Sequence, residues 1–201
     1  MKYFKLLFII PLLSLTFCKT AKNTSVKDCV EVTKCATIIP ELSFKKENFP
    51  KDWIGDYQGD LQIYSVDSIQ MTAKMNLHVS KKTDSIYNWN VTYNIKGKED
   101  IRAYELQIID TKKGHYIIDE KNSIKIDAFY KNKILTSFFK VMNNYIVATY
   151  TKENDSIVFE IIMASDQKTK ITGNTKFEGE DIPKVITYFV KGRQKAVLKK
   201  Q

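Results

Sequence analysis

Glycine and proline are scarce, 7 and 4 of 201 residues. Those counts are low for a loop-rich protein, so a loop-dominated chain is not expected. Histidine occurs twice, at His78 and His115, and cysteine three times, at Cys18, Cys29 and Cys35. The histidines lie far from the cysteines in sequence, so no zinc site is expected. The apolar run Leu6–Phe17 is 12 residues long. A spanning helix needs about 20, at about 1.5 Å each. The chain has no Gly-rich phosphate loop, no G-x-S-x-G and no H-E-x-x-H. No catalytic residues, no cofactor and no metal are therefore expected, and an enzyme is the least favoured class.

What is present is ordinary for a folded domain, with 43% hydrophobic and 12% aromatic residues. The formal net charge is +9, or +7 once Lys2 and Lys5 are removed. Lysines fall in turn-like pairs such as Lys81-Lys82 and Lys112-Lys113, which read as solvated turns. Basic charge also suits anionic lipid headgroups or acidic glycans. Nucleic acid is not an expected partner of an exported chain.

Export is read from the first residues. Lys2 and Lys5 precede the apolar run, as in a secretory signal. The run ends at Leu15-Thr16-Phe17-Cys18. This resembles a bacterial lipoprotein signal, Bacteroidota-type. The resemblance implies a signal peptide over 1–17 and a lipid on Cys18 that tethers the mature chain to a membrane. Lys19, not Asp, follows the cysteine, and by the resemblance to lipoproteins this implies the outer membrane, on its periplasmic face or at the cell surface. The alternative is an ordinary signal peptide with Cys18 incidental. In an oxidising compartment Cys29 and Cys35 remain as a disulfide pair closing a short loop, with two free thiols as the alternative.

Residues 18–52 read as a polar spacer and an N-terminal arm, and 53–201 as the domain. From Trp53 onward the dominant period is two, the period of strands. Met71, Ala73, Met75, Leu77 and Val79 share one face, with Thr72, Lys74, Asn76 and His78 on the other. Tyr87, Trp89, Val91, Tyr93 and Ile95 repeat the pattern. Further strands are expected at Gly59–Ser65, Ile101–Asp110, His115–Asp119, Ser123–Tyr130, Ile134–Met142, Tyr145–Thr151, Ser156–Ala164, Thr169–Thr175, Val185–Val190 and Lys195–Leu198. Turn formers separate them, including Lys113-Gly114, Asn143-Asn144, Asn154-Asp155 and Lys191-Gly192. About 10–12 short antiparallel strands in a meander favour an all-β, up-and-down barrel, because closure removes exposed edges. The alternative is a β-sandwich.

Trp53-Ile54-Gly55-Asp56-Tyr57-Gln58-Gly59, followed by a meander, resembles the opening of lipocalin-like barrels. The resemblance implies that Trp53 plugs one end and that Arg193, late in the chain, packs on it. It implies architecture over 53–198 and leaves function open.

If the aromatic face of Tyr87, Trp89 and Tyr93 points inward, the interior is an apolar pocket. Arg102 shares a face with Tyr104, Leu106 and Ile108, and a ligand carboxylate or phosphate would partner it. The candidate ligand-binding set is thus Tyr87, Trp89, Tyr93, Arg102 and Tyr104, for a small apolar or amphiphilic molecule. The alternative is a solid core with Arg102 at its rim, and a protein that meets another envelope protein or a glycan through its outer surface. Asp-Ser-Ile occurs three times, at Ser68, Ser85 and Ser156. Each triplet suits a turn before a strand. It also resembles the O-glycosylation signal of Bacteroidota secretory proteins.

Overall fold

The computed structural model describes residues 47–201, all within the unit Phe44–Gln201. Cys18, Cys29 and Cys35 lie outside the described residues. A single 3-10 turn, Lys51–Trp53, leads into twelve strands. They are β1 (Gly55–Tyr64), β2 (Ile69–Lys81), β3 (Ile86–Ile95), β4 (Lys98–Asp110), β5 (His115–Asp119) and β6 (Lys125–Lys131), then β7 (Ile134–Val141), β8 (Asn144–Glu153), β9 (Ser156–Thr172), β10 (Thr175–Phe177), β11 (Glu180–Ile182) and β12 (Val185–Lys200).

Ten of these close into an antiparallel barrel, in the order β1-β12-β9-β8-β7-β6-β5-β4-β3-β2. Only β10 and β11 stand apart, as a separate hairpin. The expected closed meander is therefore the observed fold. The alternation that marks the strands also fixes which face is inside. Met75 and Leu77 of β2 lie opposite Tyr93 and Val91 of β3, and β3 in turn sets Trp89 opposite Tyr104 and Tyr87 opposite Leu106 of β4. All of these are inward positions.

Connections follow turn chemistry. The β3–β4 turn holds Lys96 and Gly97 at φ 52° and 83°, and the β6–β7 turn holds Asn132 and Lys133 at 46° and 67°. Two successive positive φ values match the strand twist in a two-residue hairpin. Gly114, at φ 66°, lies under β6, and a Cβ there would sit 2.3 Å from the Tyr130 carbonyl oxygen.

One end of the barrel is plugged. Phe49 stacks on Tyr130 with ring centroids 4.3 Å apart and meets Trp53 and Tyr116 edge-on at 4.8 and 4.9 Å. Trp53 is fully buried and lies 6.1 Å from Trp89. Tyr57 donates its hydroxyl to the Trp53 carbonyl at 3.0 Å. The core of Leu61, Met75, Leu77, Val79, Trp89, Leu106, Leu135, Ile157, Phe159 and Leu198 rises from this plug.

Two expected strand breaks are absent. Ser156–Ala164 and Thr169–Thr175 were expected as separate strands, but β9 runs unbroken to Thr172. Likewise Lys191-Gly192 is no turn, and Val185–Val190 and Lys195–Leu198 are parts of the one strand β12. The register against β9 shifts three times between Thr187 and Gly192, so the local kink is taken up by bulges and the chain does not reverse. Because β8 leaves β9 at Ser165 and β1 leaves β12 at Arg193, the outer parts of β9 and β12 pair only with each other. With β10 and β11 they form an arm that projects past the barrel.

Candidate functional site

The strands run alternately away from the plug and back, so one end of the barrel remains as a mouth. Near the plug, inward residues are buried. Toward the mouth, the inward residues Met71, Tyr93, Tyr104, Phe139, Ile146, Ile161 and Met163 are only half-buried. The floor of the barrel is solid and its upper part opens to solvent.

The wall of that upper part is uneven. β5 ends at Asp119, opposite Glu105, so the stretch Lys98–Tyr104 of β4 has no neighbour on that side. β6 pairs with β7 only at Phe129–Lys131. Together these leave a lateral window between β4 and the upper part of β7. At its β4 edge is an open cleft of about 370 Å³ lined by Ile101, Arg102, Ala103, Tyr104, Glu120, Lys121 and Asn122.

Arg102 is the polar centre of this region. Its guanidinium donates to Asp100 Oδ2 from Nε at 3.1 Å and from Nη2 at 2.9 Å, and Nη1 reaches the Tyr104 hydroxyl at 3.5 Å. It lies 5.1 Å over the Tyr93 ring. Of the five N–H donors of a guanidinium, about two remain uncommitted, one on each Nη. Burial opposes the charge on Arg102, but the bonds to Asp100 and Tyr104 outweigh it and its pKa is raised. Burial pushes the Tyr93 phenol up to about 12, and the Tyr104 and Tyr150 phenols up as well. These phenols are neutral donors and acceptors at any physiological pH.

Of the sequence-derived set, Tyr93, Arg102 and Tyr104 come together on adjacent strands at the mouth. Tyr87 and Trp89 lie below them in the packed floor. The Trp89 indole N–H is buried without a hydrogen-bond partner among the described residues. Two contributors escaped the sequence reading. Asp100 is the same-face residue two positions before Arg102, so alternation could have found it. Tyr150 of β8, edge-on to Trp89 at 5.2 Å, needed the cross-barrel neighbourhood.

Arg193 does not pack on Trp53. It faces outward on β12 opposite Tyr64, near the mouth, where it pairs with Glu160 and lies 5.8 Å over the Tyr64 ring. The inward positions of β12 are Gln194, Ala196 and Leu198, so strand parity turns Arg193 away. At the plug, Lys152 of β8 donates to the Tyr57 hydroxyl at 3.0 Å. His78 bonds Asp56 Oδ1 and His115 bonds Asp127 Oδ1, both at 2.6 Å on the outer surface. Ser68 and Ser85 are exposed in turns, and Ser156 donates to the Glu153 carbonyl at 2.8 Å.

Among the described residues, two carboxylates on the outer face are enclosed, Glu105 and, opposite it, Asp119. The Glu105 side chain is only 9% exposed and accepts from Lys82 at 2.5 Å and Lys121 at 3.0 Å. The bond from Lys82, then that from Lys121, holds its pKa below the usual value. A carboxyl depressed in the folded state contributes stability above its unfolded pKa, about 4.3, and loses it as pH falls through the folded value. Glu105→Gln is therefore expected to flatten the acid limb of stability between about pH 5 and pH 3. Denaturant midpoints across that range check this. An unchanged slope would mean the lysines do not stabilise the charge.

Fold and site together define a closed antiparallel barrel with a solid floor and an open, partly aromatic mouth, an architecture compatible with holding a small ligand. No family model matches the chain, and no curated protein is detectably similar to it.

Proposed function

We propose that the protein is a lipid-anchored cell-envelope protein whose barrel holds a small amphiphile. The apolar part would lie against Tyr93, Tyr104 and the half-buried aliphatic side chains, over a floor that includes Tyr87 and Trp89. An anionic headgroup would meet Arg102. One observation carries this reading: a guanidinium with uncommitted donors stands at the mouth of an interior whose upper wall is apolar and open. The anchor rests on the Leu15–Cys18 resemblance to lipoprotein signals, and the outer-membrane location on Lys19.

The test is mass spectrometry of organic extracts from the purified mature protein after exposure to envelope lipids. One enriched species bearing a carboxylate or phosphate is expected. Arg102→Ala should weaken its binding by about 10- to 100-fold, the value of about 1.5–3 kcal/mol for a hydrogen bond to a charged group. Melting behaviour should be unchanged. An extract with no enriched species would defeat the proposal.

A second reading is favoured by the arm, where Ile171, Phe177, Ile182 and Val185 are exposed. Such a ribbon suits contact with another envelope protein or a glycan. Cross-linking in cells that recovers a stable partner through the arm would support it over the amphiphile.

A further inference from the structure

The arm is a two-stranded ribbon with no third strand beside it among the described residues. β1 last meets β12 at Tyr64 and Arg193, so Val185–Gly192 has no neighbour on that side. β8 last meets β9 at Asn144 and Ser165, and the Asp166 amide donates to the Asn143 carbonyl at 3.1 Å, which leaves Gln167–Thr172 bare. A two-stranded ribbon alone is at best marginally stable in water. Bare edges are ordinarily guarded by charge. Gln167–Thr172 carries Lys168 and Lys170, but Val185–Val190 carries no charge at all, and Val185, Phe189 and Val190 are exposed.

The barrel wall has the matching gap. The window is two strands wide, the places that β5 and β6 hold lower down. Its sides are Lys98–Tyr104 of β4 and Ser137–Val141 of β7, both bare toward the gap. The arm runs past the mouth while the window lies below it, so a chain's arm misses its own window. A second copy turned mouth to mouth brings the two together. Polarity then fits. β9 leaves its barrel at the mouth and β12 returns, whereas β4 descends from the mouth and β7 rises to it. In an inverted copy β4 runs against β12 and β7 runs against β9, so both new joins are antiparallel. Order fits as well. In one direction around the barrel β12 precedes β9 and β7 precedes β4, and inversion sets β4 beside β12 and β7 beside β9. A two-fold axis makes the exchange reciprocal and closed.

We infer that the protein forms a two-fold, mouth-to-mouth dimer in which the arm of each copy fills the window of the other as two added strands. Each copy thereby completes the wall beside the other's Arg102. This holds whether or not the barrel carries an amphiphile.

The test is light scattering on the mature chain carrying Cys18→Ser, Cys29→Ser and Cys35→Ser, so that neither lipid nor disulfide joins copies. A dimer mass is expected, and a chain with Gln167–Lys191 replaced by Asn-Gly should be monomeric. Ile101→Pro tests the window. The two-residue β3–β4 turn makes Ile95 and Lys98 a hydrogen-bonded pair, so by alternation the Ile101 N–H points away from β3 into the gap. Proline there spares the β3 ladder and removes a donor from each of the two β4 joins, which should raise the dimer dissociation constant about tenfold or more. Thermal melts establish that the variants fold. Independently, a short bis-maleimide should link chains carrying Ala103→Cys to chains carrying Val185→Cys when the two are mixed, and should link neither to its own kind. The inference is overturned if the parent is monomeric, if the chain without the arm still dimerises, if folded Ile101→Pro dimerises as the parent does, or if position 103 does not link to position 185. Loss of the dimer in both variants, with linkage of 103 to 185 alone, supports it.

Discussion

Trp53→Ala is expected to destabilise the barrel by about 3–5 kcal/mol, the range for removing a fully buried large aromatic side chain. The indole fills the plugged end, 4.8 Å from Phe49, 6.1 Å from Trp89 and 6.2 Å from Tyr130 by ring centroids. No flexible neighbour is free to refill that space, because Phe49 is already fixed by its stack on Tyr130. Tyr130 is itself tied down, donating to Glu47 Oε2 at 2.8 Å. Burial, and then that bond to Glu47, raises its pKa, so it stays a donor. Urea unfolding monitored by far-UV circular dichroism would read the loss. Trp53→Phe should cost less than the alanine change, since it keeps an aromatic face for Phe49. A loss below about 1 kcal/mol for Trp53→Ala would mean that the plug collapses inward and that the end is not rigidly packed.

Gly59→Val is expected to cost about 3 kcal/mol, the upper end for overpacking, by prising apart the strands that close the barrel. Gly59 is on β1, and a Cβ there would lie 2.2 Å from the Val197 carbonyl oxygen of β12. That atom is backbone and cannot rotate away. The next nearest group is the Leu198 side chain, in the core. Relief therefore requires β1 and β12 to separate where Gln58 pairs with Lys199 and Leu61 with Ala196. Amide exchange would show it as lost protection in these two strands while β3 and β4 stay protected. A variant as stable as the parent, with unchanged exchange, would refute the close approach.

The strands were legible in the sequence because both faces of each strand meet different media. Met71 to Val79 and Tyr87 to Ile95 alternate cleanly, and the same alternation placed Arg102 beside Tyr104 on the inward face. Closure followed from the number of strands and the cost of leaving edges bare. Alternation fails where both faces of a strand are wet. The outer part of β9, Asp166 to Thr172, is exposed almost throughout, so nothing in its pattern told strand from loop. Lys191-Gly192 reads as a turn from residue preference alone, yet pairing with β9 on one side holds the chain extended. Phe49 and Tyr150 belong to the plug and the floor through contacts between residues far apart in the chain, which no local spacing encodes. The window exists because β5 has only 5 residues and β6 only 7, lengths that matter only once their neighbours are known.

The pairing of β1 with β12 has a consequence for how the molecule comes into being. Every join in the barrel that does not involve β12 is between strands consecutive in sequence and can form early. The two joins to β12 cannot. A growing chain holds β1 and β9 as two bare edges until the 16-residue strand β12 arrives to satisfy both. Such edges recruit other chains when left waiting. Closure is thus deferred until β12 is made, and a chain cut short of β12 would be an aggregation seed instead of a smaller barrel.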